Sequence, residues 1–173
     1  MQIFLLVLIP VLFPQNKWID YTDLNGRFKI STPGNFEEKI DTVETEIGQL
    51  IYHTLFYQND IDRTNNDVYM VSYCDYPEEI IFADSTDLAG EFFQSTMESA
   101  AESVEGEILY STDINLDNHP GKFWRIDYME GAGVIKTKAY LVKNRYYAVQ
   151  VITFDNKKEN TFADRFFDSF SIF

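Results

Sequence analysis

Residues 133–173 read GVIKTKAYLVKNRYYAVQVITFDNKKENTFADRFFDSFSIF. The spacing gives two neighbouring strands, over 134–143 and 145–154, and then a short helix on which Phe162, Phe166, Phe167 and Phe170 recur at helical intervals. A helix with that many rings on one side needs a sheet to lie against. The stretch is therefore a packing unit, and the rest of the chain is expected to supply the remainder of its sheet and one further helix.

Working back from it, residues 122–129 alternate, with Trp124, Ile126 and Tyr128 on one side and Arg125 and Asp127 on the other. Residues 107–116 form another strand, and Asp117-Asn-His-Pro-Gly121 reads as a turn between the two. Glu130-Gly-Ala-Gly133 turns again into the final unit. A helix is expected over 85–104. Leu88, Phe92, Met97, Ala100, Ala101 and Val104 line its apolar stripe, Asp84 or Ser85 caps its start, and Gly106 ends it in the left-handed conformation.

Nearer the N-terminus, residues 68–73 and 49–58 are strands without a properly polar face, which points to a sheet covered by helices on both sides. Residues 36–46 alternate loosely and carry Glu37, Glu38 and Glu44, as suits a strand at the sheet edge. Residues 27–32 are a half-buried strand through Phe28 and Ile30, preceded by a turn at Asn25-Gly26 and a lead-in from Trp18.

A chain of 173 residues with 45% hydrophobic and 16% aromatic content fits one folded domain with a substantial core. Its formal charge of -14, from 28 acidic and 14 basic side chains, repels phosphate backbones and anionic lipid. Nucleic acid is thereby excluded as an expected partner. The apolar run from Met1 to Phe13 is too short to span a bilayer and matches the core of a secretory signal. Two features count against it: no small-x-small site follows, and no Lys or Arg precedes it, which fits a misplaced start; cleavage is expected near Pro14-Gln15, with a buried strand or an uncleaved anchor as the other readings. Residues 1–14 are thus expected to be an export signal, residues 15–173 a single domain without a membrane span, and the location periplasmic or extracellular. Cys74 is the only cysteine, so no internal disulfide forms, and it is expected to be buried filler.

The loop containing Asp60, Asp62, Asn65 and Asp67 offers oxygen ligands of the kind Ca²⁺ prefers, but lacks the glycine and glutamate of an EF-hand. Turn chemistry alone explains such Asx-rich loops, and Asp113, Asn115, Asp117 and Asn118 form a second one. His53 is expected as a hydrogen-bonded core histidine and His119 as an exposed turn residue, with no zinc spacing between them. No nucleophile elbow, phosphate loop or environment that would raise a carboxylate pKa is visible, and no cofactor is expected. Tyr52, Tyr57, Tyr69, Tyr73, Trp124 and Tyr128 are a surplus of rings that could crowd one face, as core or as the lining of an interaction patch.

Several segments together resemble the PsbP-like superfamily, which includes the extrinsic PsbP subunit of photosystem II, a Ran-binding nuclear transport factor and small exported bacterial proteins. They are Gly26-Arg-Phe-Lys-Ile-Ser-Thr-Pro33, the central helix, Gly121-Lys-Phe-Trp-Arg-Ile-Asp-Tyr128, Tyr140-Leu-Val-Lys-Asn-Arg-Tyr-Tyr147 and Phe166-Phe-Asp-Ser-Phe170. The resemblance implies an α+β fold, an α/β/α sandwich around a largely antiparallel sheet. Another hairpin-rich α+β fold is the alternative. Because fold does not fix activity, the functional expectation is graded. First comes a non-enzymatic exported module that binds a protein partner or assists assembly in the cell envelope. A Ca²⁺-binding protein using the Asx-rich loops comes next, and then a hydrolase whose site is assembled only in three dimensions.

Overall fold

The computed structural model describes residues 18–59, 66–78, 80, 86–154 and 161–173. The apolar run read as an export signal lies outside them, as do Asp84 and Ser85. In chain order the elements are strands β1 (Ile19–Asp23), β2 (Phe28–Thr32), β3 (Glu37–Thr45), β4 (Gly48–Gln58) and β5 (Val68–Asp75), helix α1 (Thr86–Ser103), strands β6 (Glu107–Leu116), β7 (His119–Tyr128), β8 (Gly133–Val142) and β9 (Arg145–Phe154), helix α2 (Thr161–Asp168) and strand β10 (Ser171–Ile172). The fold is α+β, and every strand pairing is antiparallel.

Seven strands make the main sheet in the order β3-β4-β5-β9-β8-β7-β6. The most apolar strands take its middle. Val71 faces Val149 and Tyr73 faces Tyr147 across the β5–β9 pair, and all four side chains are buried. Charge and irregularity blunt the two edges. β3 exposes Glu37, Glu38, Lys39 and Glu44, while β6 carries a register shift between Ile108 and Tyr110.

Helix α1 covers one face. Ala89, Phe93, Met97 and Ala101 form a ridge of four-residue steps against Trp124, Ile126, Ala139, Leu141, Tyr146 and Ala148. This corrects the expected stripe: Phe92, Ala100 and Val104 flank the ridge, and Leu88 is 48% exposed. One residue is about 100° of helix, so choosing Leu88 over Ala89 turned the stripe away from the sheet. The helix ends with Gly106 N–H donating to Ala101 O at 2.8 Å and Glu105 N–H to Glu102 O at 3.0 Å. The left-handed residue is Glu105, with φ 51, not Gly106. Gly106 is needed for close approach instead, since a Cβ there would lie 2.6 Å from Ile126 Cγ2.

The second face carries a helix and a small sheet, where the sequence leads one to expect helices alone. Residues 19–23 are a strand, not a lead-in, and β2 is flanked by β1 and β10. Phe28 and Ile30 of this sheet join Phe166, Phe167 and Phe170 over Tyr69, Val71, Tyr73, Tyr147, Val149 and Val151. The phenylalanine-bearing tail is thus buried as expected, with Phe170 just beyond α2 and its ring stacked on Tyr140 at 5.8 Å. Cover thins towards β3. Only Leu50 and Leu55 of β4 are buried and Ile51 is 46% exposed, so the two-sided cover expected along this strand is incomplete.

Two turns also differ. Asp117 and Asn118 alone, with φ 48 and 67, link β6 to β7, so His119, Pro120 and Gly121 are already strand. In the β1–β2 turn the left-handed residue is Arg27, with φ 56, while Gly26 makes room for Phe28 and Tyr73 and donates its N–H to Asp23 Oδ1 at 2.5 Å.

Candidate functional site

The described residues converge on one end of the main sheet, where β5 stops and β9 starts. Asp75 and Arg145 are partners in the β5–β9 register, so two charges far apart in sequence meet side by side. The guanidinium grips the carboxylate with two bonds, Nε to Oδ1 at 2.5 Å and Nη2 to Oδ2 at 2.6 Å. Its remaining nitrogen donates to the Asn25 carbonyl at 2.7 Å, tying the β1–β2 turn to the sheet. Tyr147 adds a second tie, its hydroxyl donating to Gly26 O at 2.7 Å.

Two clefts share this pair. One, of about 340 Å³, extends towards β4 and is lined by Asn25, Gln49, Ile51, His53 and Tyr73. There the Tyr73 ring stacks on His53 at 4.6 Å and carries the Arg145 guanidinium at 5.2 Å. The other, of about 450 Å³, extends towards β8 and includes Arg27, Glu78, His119, Lys143, Asn144 and Tyr147. Asn144 braces its floor, its amide donating to Tyr76 O at 2.6 Å while Tyr76 N–H donates to Asn144 O at 2.9 Å.

Tyr73, Arg145 and Tyr147 are pushed further towards the protonated forms that tyrosine and arginine already hold at neutral pH. Burial pushes Tyr73 up, as it does Tyr147, where Arg145 partly offsets it. The hydrogen bonds that Arg145 donates to Asp75 raise the guanidinium pKa above its ordinary value. Cys74, one residue from the pair, is fully buried and burial pushes its thiol up to about 11. A thiol so placed is a poor nucleophile at pH 7, in keeping with the filler role expected of it.

The residues singled out in the sequence fare differently. Asp60, Asp62 and Asn65 lie outside the described residues. Of the same loop, Asp67 accepts the Phe154 N–H through Oδ2 at 2.7 Å, and the buried Asn66 accepts from Thr153 at 2.8 Å. Among the described residues no three His, Cys, Asp or Glu side chains cluster as a metal would need. In the second acidic stretch, Asp113 pairs with Lys122 at 3.0 Å on an edge strand. His53 is half-buried and lies 3.3 Å from Glu38, and His119 is a half-buried strand residue lining the larger cleft rather than an exposed turn residue. The six aromatics do not crowd one face. Tyr57, Tyr69 and Tyr73 lie on the α2 side and Trp124 under α1, while Tyr52 meets Tyr76 at 3.0 Å and Tyr128 meets Phe154. Arg27, Asp75, Lys143 and Arg145 were not singled out. Each reads as an ordinary charge at a strand end; the sheet register brings Asp75 and Arg145 together, and Arg27 and Lys143 line the larger cleft beside them.

No family model and no curated protein matches the chain. A solved structure does: the solution structure of cyanobacterial PsbP (CyanoP) from Synechocystis sp. PCC 6803 aligns over 98% of this chain and 99% of that chain, with a TM-score of 0.57 and 12% sequence identity. The fold is therefore PsbP-like.

Proposed function

We propose that the chain is a non-enzymatic, exported accessory domain of the cell envelope that binds a protein partner through the open end of its sheet. The observation that carries this reading is apolar surface left in water there: Leu24 is 77% exposed, Ile40 56% and Ile51 46%. Ile51 lines the smaller cleft, Ile40 is the register partner of its His53, and Leu24 adjoins its Asn25. Exposed apolar side chains with polar neighbours favour a protein surface as partner. Support for a non-catalytic role comes from the clefts themselves, whose central acid and base are spent on each other. Export rests on the apolar run at residues 1–13. The layering is read as the α/β/α sandwich of the PsbP-like fold, with the β1–β2–β10 sheet supplementing one helical layer.

Photo-crosslinking in the native cell tests the reading. Benzoylphenylalanine at position 24 or 51 should give the same discrete adduct from the exported fraction, and at the exposed Glu102 of α1 it should give none. No adduct from positions 24 and 51 would overturn the partner surface. The ion-binding alternative, on Asp60, Asp62, Asn65 and Asp67, predicts a rise in melting temperature with millimolar Ca²⁺, and the accessory-domain reading predicts none.

A further inference from the structure

We propose that the larger cleft, between the β1–β2 and β8–β9 turns, binds an oxyanion-bearing ligand, a carboxylate or a phosphate, held by Arg27 and Lys143. Charge is the first argument. In a chain with 28 acidic and 14 basic side chains, three cations among the described residues line this one cleft: Arg27, Lys143 and Arg145. Arg145 is consumed by Asp75, and among the described lining residues Glu78 is the other acidic side chain that Arg27 and Lys143 face. Of the ten described lysines and arginines, Lys39, Lys122, Arg125, Lys138 and Arg145 each pair with an aspartate; Arg27, Lys29, Lys136, Lys143 and Arg165 make no ion pair among the described residues, and of these five Arg27 and Lys143 line the cleft. Two cations without such partners in one concavity of an acidic molecule are a local reversal of its field.

The backbone gives an independent argument. Arg27 and Lys143 both occupy the left-handed region, with φ 56 and 57, where glycine sits without strain and long side chains rarely do. Among the described residues Glu105, Asp117, Asn118, Met129 and Glu130 share this region, but the two cations in it, Arg27 and Lys143, reach the same cleft. Its volume of about 450 Å³ suits a small molecule. Val142, Ile172 and Phe173 give it an apolar wall, so the anionic group can belong to a ligand with a hydrophobic body. A long polyanion or an anionic bilayer is disfavoured by the net charge of -14. The inference does not depend on the protein partner proposed above.

The test is an NMR titration of the ¹⁵N-labelled full chain with inorganic phosphate and with 3-phenylpropionate, using 3-phenylpropanamide as the uncharged control. Saturable shifts should centre on the amides of residues 27 and 142–145 with the anions and be absent with the amide. Arg27→Gly and Lys143→Gly should each weaken binding about tenfold, as loss of a charge-assisted contact would, while the melting temperature holds or rises. Lys136→Gln, which removes a cation that does not line the cleft, should leave the affinity unchanged. Saturation by phosphate alone assigns a free inorganic anion, and tighter binding of phenylpropionate assigns a carboxylate on an apolar body. Either upholds the site. No saturation by either anion, or equal weakening by Lys136→Gln, overturns it.

Discussion

Glu105 shows at the scale of one residue how this chain departs from what its composition suggests. It sits at φ 51 two residues after α1, a left-handed position that glycine usually fills, while the neighbouring glycine is spent on fitting under Ile126. Glu105→Gly should therefore stabilise the fold by about 0.5–1 kcal/mol, read as a higher urea midpoint with an unchanged m-value. Cys74 gives a second prediction. Its thiol titrates near 9 in an unfolded chain and is pushed by burial to about 11 in the folded one. The folded state thus keeps its proton longer, and the stability this lends is whole below pH 9 and is lost as pH rises through 11. Melting temperature should fall between pH 9 and 11, and Cys74→Ala should make that fall shallower.

At the scale of elements, the α1 face offers a direct contrast. Phe93, with 3% of its surface exposed, lies in the ridge against the sheet, whereas Leu88 looks into solvent. Phe93→Ala should cost about 3–5 kcal/mol in chemical unfolding, and Leu88→Ala should stay within about 0.5 kcal/mol. That pair also shows what was legible beforehand. The strands of the main sheet, α1 and the aromatic tail all announce themselves through periodic apolar residues, because burial on a sheet face or helix face demands that period. The helix phase did not, since two alanines in the ridge weigh less to the eye than one leucine beside it. Strand β1 was illegible for another reason: its burial is slight except at Asp23, so backbone pairing with β2 rather than side-chain pattern defines it. The charged end of the sheet was hidden more thoroughly. Asp75 and Arg145 are 70 positions apart, and nothing local to either marks the other as its partner.

For the molecule as a whole, the dominant electrostatic fact is a surplus of negative charge, -14 in all. Self-repulsion of that size opposes the compact state, and several of the ion pairs that offset it have an exposed aspartate and are weak. Raising sodium chloride from about 0.02 M to about 0.2 M shortens the screening length to below roughly 10 Å and should raise the melting temperature by a few degrees. A fall over the same range would show that attractive surface pairs outweigh the repulsion.

The small sheet carries one more implication, for biosynthesis. Its middle strand joins residues near 30 to residues near 171, so this layer cannot be finished until residue 172 has left the ribosome. A nascent chain stopped at residue 154 would hold out Tyr69, Val71, Val149 and Val151 without their phenylalanine lid, a greasy surface open to chaperones.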